Sequence, residues 1–112
     1  MRMEHTLIDD VLVLVPLDAR IEAANSAAFK GAVVDWIHKG QRKIVLDLIH
    51  VEFIDSSGLG AIISSLKNLG KDGDLALCGL SKPVMNLFRL TRMQRIFQLF
   101  ESREEAVSKL AH

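Results

Sequence analysis

The 112-residue sequence predicts an α/β fold, a mixed β-sheet of four to five strands packed with about four α-helices. Three observations carry that prediction. Two short apolar runs open the chain with only Asp9-Asp10 between them, the mark of two strands joined by a tight turn. Beyond them, apolar runs of strand length alternate with segments of helical periodicity. The run at 43–48 shows little polar alternation, as expected of a strand buried on both faces of a sheet that carries helices. Together these give a sheet with several parallel crossovers.

The first two strands are predicted at 5–8 and 11–17. The second is almost wholly apolar and so belongs in the sheet interior. Pro16 offers no N–H to a ladder and marks the end of that strand or an edge position. The polar, alanine-rich stretch from Asp18 follows, with Asn25 as N-cap of a helix reaching Lys39. Phe29, Ala32, Val33, Trp36 and Ile37 form that helix's apolar stripe, and Gly40 suits its C-terminal stop. Asp47 interrupts the third strand. Its carboxylate must be hydrogen-bonded or emerge at the strand's end, because burying it unpaired costs several kcal/mol.

Residues 49–54 form a short connection whose Val51, Phe53 and Ile54 tuck beneath the next turn. A helix then runs from about 57 to 69, with Leu59, Ile62, Ile63, Leu66 and Leu69 on one face. Gly70, Asp72 and Gly73 mark a turn before a fourth strand at 75–78. Ser81 and Pro83 start the following helix, whose apolar face is Val84, Leu87 and Phe88. A last short strand is predicted at 96–100. Ser102 and Glu105 have capping-box spacing before a final helix that buries Ala106, Val107 and Leu110.

A chain of this length builds one core, so residues 1–112 are read as a single domain. Apolar residues at 49% and charged residues at 25% match a folded globular chain rather than a disordered one. The 14 basic and 14 acidic side chains cancel, leaving no global field to draw the protein to nucleic acid or to an acidic membrane. The single cysteine, Cys78, has no internal disulfide partner and sits in an apolar run that suits a small buried side chain, which favours a reducing compartment. No apolar run approaches the ~20 residues that cross a bilayer, and the N-terminus lacks a signal-peptide core. The expectation is a cytoplasmic protein without membrane insertion.

The functional stretch is Ile54-Asp55-Ser56-Ser57-Gly58-Leu59-Gly60, where an apolar strand region runs into an amphipathic helix. Ser56 or Ser57 can cap the helix's free N–H groups, and Gly58 and Gly60 let another backbone or an anion come close. Such a turn presents a hydroxyl to solvent, and these residues alone do not choose between the two serines.

The hexapeptide Asp55-Ser56-Ser57-Gly58-Leu59-Gly60 resembles the signature of the STAS family, specifically of the bacterial anti-sigma factor antagonists. Those proteins carry Asp-Ser-(Ser, Thr or Ala)-Gly-Leu-Gly at this place. The order of strands and helices is similar over nearly the whole chain. The resemblance implies a STAS-type sheet, with Ser56 phosphorylated by a partner that is both anti-sigma factor and serine kinase. It also implies that the unmodified form captures that partner and frees a sigma factor, and that a serine phosphatase resets the modified form. Asp55, Ser56, Ser57, Gly58, Leu59 and Gly60 would meet the partner. Asp18 occupies the place of a family aspartate near the phosphorylated serine, although Pro16 stands where many relatives have glycine and the loop to Asn25 is longer. No cofactor or metal is implied.

Other classes are weighed against this. An enzyme reading would make Ser56 or Ser57 a nucleophile, but no Gly-x-Ser-x-Gly is present, and His5, His38, His50 and His112 have no triad or metal spacing. No Walker-type phosphate loop is present, so the chain reads as a kinase substrate rather than a kinase. A STAS ligand-binding or adaptor module is the alternative, in which the helix N-terminus holds a nucleotide or lipid head group, or the chain serves a transporter, without a phospho-switch. Lys82, Arg89, Arg92 and Arg95 form a basic stretch, read here as a solvated face. Aromatics at 5% and the lack of a binding motif argue against nucleic acid.

Overall fold

Val11 through Val15 are all buried, which in a sheet requires a covering layer on each side. The computed structural model, which describes residues 1–111, supplies both layers. Strand β2 (Val11–Pro16) pairs with β1 (Met3–Ile8) as an antiparallel hairpin in the register Met3↔Pro16 to Ile8↔Val11. Asp9 takes a positive φ of 56° in the connecting turn, a conformation that aspartate tolerates better than most side chains. On its other side β2 runs parallel to β4 (Lys43–Asp47), which is followed by β6 (Asp74–Cys78) and β7 (Gln98–Phe100), all parallel. The five-stranded sheet has the order β1-β2-β4-β6-β7, the expected mixed sheet.

Because successive strand side chains point to opposite faces, the continuous apolar runs divide into two cores. Leu12, Leu14, Ile44, Leu46, Leu75 and Leu77 face three helices, α1 (Ser26–His38), α2 (Ser56–Leu69) and α3 (Lys82–Leu90), which contribute Phe29, Val33, Ile62, Leu69 and Phe88 among others. Val11, Val13, Val45, Ala76 and Cys78 face α4 (Arg103–Ala111), which closes the back with Ala106, Val107 and Leu110. The four predicted helices are therefore divided three to one.

The capping chemistry read from the sequence holds at two helices. Ser81 Oγ accepts from Val84 N–H at 3.4 Å with Pro83 in the first turn of α3, and Ser102 Oγ accepts from Glu105 N–H at 3.2 Å ahead of α4. Asp47, buried to 5% exposure at the end of β4, meets both halves of its requirement. Its Oδ2 accepts from Arg103 Nε at 3.0 Å and lies 3.0 Å from Nη2 of the same guanidinium, and its Oδ1 accepts from Ile49 N–H at 3.2 Å.

Three expectations are corrected. The stretch from Asp18 is not plain loop, since β3 (Arg20–Ile21) pairs in parallel with β5 (Phe53–Ile54) as a separate two-stranded sheet. The last strand is shorter than 96–100, because a 3₁₀ turn at Met93–Arg95 precedes it and leaves Ile96 exposed and Phe97 buried. Phe53 does not tuck inward. Strand alternation in β5 sends Ile54 to the core and leaves Phe53 39% exposed.

Candidate functional site

The small β3–β5 sheet fixes where α2 begins. Its register, Arg20↔Phe53 and Ile21↔Ile54, ends with Asp55 N–H donating to Ile21 O at 3.2 Å, and α2 starts at the next residue. Asp55, not Ser56 or Ser57, is the N-cap. It is extended (φ −93°), its Oδ1 accepts from Gly58 N–H at 2.9 Å, and its carbonyl accepts from Leu59 N–H at 2.9 Å. Its second carboxylate oxygen accepts from Ala23 N–H at 3.1 Å, which ties the loop before α1 to the start of α2. The reason is valence: an ionised carboxylate offers two acceptor oxygens and can cap a helix and hold a neighbouring loop together, whereas a serine hydroxyl offers one oxygen.

With the cap supplied by Asp55, Ser56 falls at the first helical position and Ser57 at the second, both exposed. Neither N–H has a protein acceptor among the described residues. Free N–H groups at a helix start, with the aligned peptide dipoles behind them, favour negative charge there. Gly58 and Leu59 are buried. A Cβ on Gly58 would lie 2.3 Å from Ile21 O and 2.9 Å from Ile54 Cγ2, so glycine is what allows β3 to lie against the first turn of α2. Gly60 is exposed and has nothing within 4 Å of a Cβ position, so the close approach expected there is absent. Leu59 packs into the core of the three-helix face, which makes it an anchor of the turn rather than part of its surface.

Asp18 is half-buried and is tied by Asn25 to the loop that Asp55 holds through Ala23 N–H. Asn25 occupies the N-cap position of α1 but makes no cap hydrogen bond with its side chain. Its Nδ2 donates to Asp18 Oδ2 at 3.2 Å and to Arg20 O at 2.8 Å, and its Oδ1 accepts from Glu22 N–H at 2.8 Å. The loop is thus clamped internally by Asn25 and to α2 by Asp55. Beside it is an exposed pair absent from the sequence reading, in which the Arg20 guanidinium lies 4.1 Å over the Phe53 ring and also pairs with Glu22. The one available signal was parity, since Ile54 and Phe53 cannot both face inward from one strand.

Elsewhere the titratable groups suit packing. Among the described residues no group of three or more His, Cys, Asp or Glu could hold a metal ion, and no histidine hydrogen-bonds Ser56 or Ser57. His5 packs against Trp36 with ring centroids 4.8 Å apart and planes tilted by 52°, His38 and His50 are exposed, and His112 lies outside the described residues. Cys78 is fully buried, and that burial, seconded by the neighbouring Asp47 carboxylate, pushes its thiol up to about 12. No helix among the described residues is long and apolar enough to cross a membrane.

Known proteins share this fold. The family model of the STAS domain matches residues 2–106. A Thermotoga maritima protein described as a candidate anti-sigma factor antagonist is 33% identical over 108 residues, 95% of each chain. A crystal structure of a Thermotoga maritima protein of that description superposes with a TM-score of 0.90 at 32% identity, covering 98% of this chain and 95% of that one. The Bacillus cell-fate determinant SpoIIAA in its phosphorylated form shares the fold, with a TM-score of 0.72 at 16% identity over 96% of this chain and 98% of that one. The hexapeptide at the start of α2, the mixed sheet beneath it and these matches agree, and the chain belongs to the STAS domain family.

Proposed function

We propose that this protein is an anti-sigma factor antagonist that acts as a phospho-switch at Ser56. In the unmodified state the first turn of α2 and the Asn25-clamped loop dock an anti-sigma factor that is also a serine kinase, and docking frees a sigma factor. The kinase then transfers a phosphoryl group to Ser56, the pair separates, and a serine phosphatase restores the binding form. The observation that carries this reading is that Ser56 is exposed at the first position of a helix whose cap is already made by Asp55. Its hydroxyl is free to be modified without removing a cap. The Thermotoga relatives support the antagonist role, and a phosphorylated protein of the same fold supports the compatibility of the frame with phosphate.

The switch follows from charge. Phosphate adds about −1.5 to −2 charges at neutral pH, beside an Asp55 carboxylate already engaged with two N–H donors. An interface packed flat on the turn must desolvate that dianion or release it. Moving from ~99% bound to ~1% takes about 5.5 kcal/mol, within reach of an uncompensated charge at a dry interface. Asp18, Asp55, Ser57 and Gly60 complete the contact surface, while Gly58 and Leu59 hold its shape from below.

Incubation of wild type, Ser56→Ala, Ser57→Ala and Ser56→Asp with the cognate kinase and ATP tests the proposal. Label is expected on wild type and Ser57→Ala and absent from Ser56→Ala, with kinase binding weakened by Ser56→Asp. Stoichiometric label on Ser56→Ala, or binding unchanged by phosphate on Ser56, sinks it.

A further inference from the structure

The sheet has two edges, and they differ. β1 carries Glu4 and His5 along its six residues, the charged and polar decoration by which edge strands avoid pairing with other chains. β7 carries no charge. The run Ile96-Phe97-Gln98-Leu99-Phe100 is uncharged and largely apolar, Ile96 is 51% exposed, and β6 is the only strand paired with β7 among the described residues. The backbone groups of β7 that point away from β6 are left without a ladder.

Clefts lie on both sides of that edge. On the three-helix face a cleft of about 470 Å³ between α3 and β7 has apolar walls from Leu80, Met85 and Leu99, with Lys82, Arg89 and Glu101 among its polar lining. Behind the sheet a second, of about 590 Å³, is lined by Phe100, Glu105, Ser108 and Lys109. Leu99, which lines the first cleft, packs with the three-helix core, and Phe100, which borders both clefts, packs with the α4 core, so the clefts lie to either side of the strand and meet at its end. An added strand sends alternate side chains to alternate faces, which is the spacing that clefts on both sides accept.

We propose that the open edge of β7 is a docking strip for an extended, acidic segment of another protein, which adds a sixth strand to the sheet. Main-chain hydrogen bonds to β7 supply the register, and the clefts take side chains in alternation. Charge selects the occupant. Between Asp74 and Glu101 the chain has no acidic residue and four basic ones, Lys82, Arg89, Arg92 and Arg95, all exposed on α3 and the turn leading into β7. Glu101 lines the α3-side cleft with Lys82 and Arg89, and Glu105 shares the second cleft with Lys109, so the excess of positive charge is on the α3 side. The same charges disfavour a second copy of this chain. A two-fold axis joining β7 to β7 would place both α3 helices side by side on one face of the joined sheet, cation against cation. The strip shares no residue with the serine turn and stands independently of the phospho-switch.

The test uses the full chain, isotope-labelled, and a blocked octapeptide of alternating glutamate and valine as probe. Amide exchange is expected to slow at least tenfold at saturating peptide at those residues of β7 whose N–H points away from β6, and to change less at those already bonded to β6. The same peptide N-methylated on alternate residues, and the exposed-residue variant Lys82→Glu/Arg89→Glu, are each expected to bind at least tenfold more weakly. Absence of binding overturns the proposal, as does binding that leaves β7 exchange unchanged or is indifferent to N-methylation, since either means charge attraction without a strand. Protection of β7 that grows with protein concentration in the absence of peptide, accompanied by a dimer in sedimentation, also overturns it in favour of a second copy.

Discussion

Gly58 and Gly60 are two residues apart in one motif, yet the structure gives them opposite roles. Any side chain at 58 must displace the backbone of β3, because a Cβ there would sit 2.3 Å from Ile21 O, while a methyl at 60 meets nothing within 4 Å. Gly58→Ala is therefore expected to cost about 1–3 kcal/mol, the range for overpacking a well-filled site. Gly60→Ala, inside a helix, should be neutral or stabilising by up to ~1 kcal/mol through the entropy that glycine loses on folding. Urea titrations of the two variants give the comparison, and equal effects would show that the contact with Ile21 is not tight. At this scale the sequence was informative about residue types and less so about partners. A glycine need was legible in the motif, but Ile21 lies 37 positions upstream in a two-residue strand with no pattern of its own. The cap falls to Asp55 rather than to a serine for a related reason: Asp55's second partner, Ala23 N–H, is 32 residues away, and only that double duty favours the carboxylate.

Elements of ordinary length were readable because periodicity accumulates over several residues, as in α2 and in β4. The β3–β5 pair offers two residues each, too few for any period to register. The need of Asp47 for a partner was also readable; its answer, Arg103, stands 56 positions later at the first residue of α4. That contact makes α4 more than a lid on an apolar face. Arg103→Ala would leave a nearly buried carboxylate without its charged partner, and is expected to cost about 1–3 kcal/mol, a range kept low because Arg103 is itself partly open to water. The loss should be local first. Amides of α4 are expected to exchange through a lowered sub-global opening while those of α2 keep their wild-type rates. A double-mutant cycle with Asp47→Asn separates the pair from side-chain packing, and a coupling below ~0.5 kcal/mol would assign α4 docking to Ala106, Val107 and Leu110 alone.

On the scale of the whole molecule, the switch proposed at Ser56 requires that the frame be indifferent to the charge it displays. Two cores on opposite faces of one sheet hold that frame, and neither includes Ser56. Cys78 reports on it directly. The residue is fully buried in the core under α4, and its thiol stays protonated until about pH 12 while the ordinary value is 9.0. The sign follows: the folded form holds the proton more tightly, so this contribution to stability is complete below pH 9 and is lost as pH rises from 9 toward about 12, where the unfolded chain releases its proton first. At pH 8, modification of Cys78 by a thiol reagent therefore proceeds through opening of the core rather than through the native thiolate. Phosphorylated protein and Ser56→Asp are expected to label within about fivefold of wild type, equivalent to about 1 kcal/mol, while affinity for the anti-sigma factor falls by orders of magnitude. Should phosphate accelerate labelling as steeply as it weakens binding, the partner would be leaving an unfolding protein, and a charge displayed on a rigid surface would no longer explain its release.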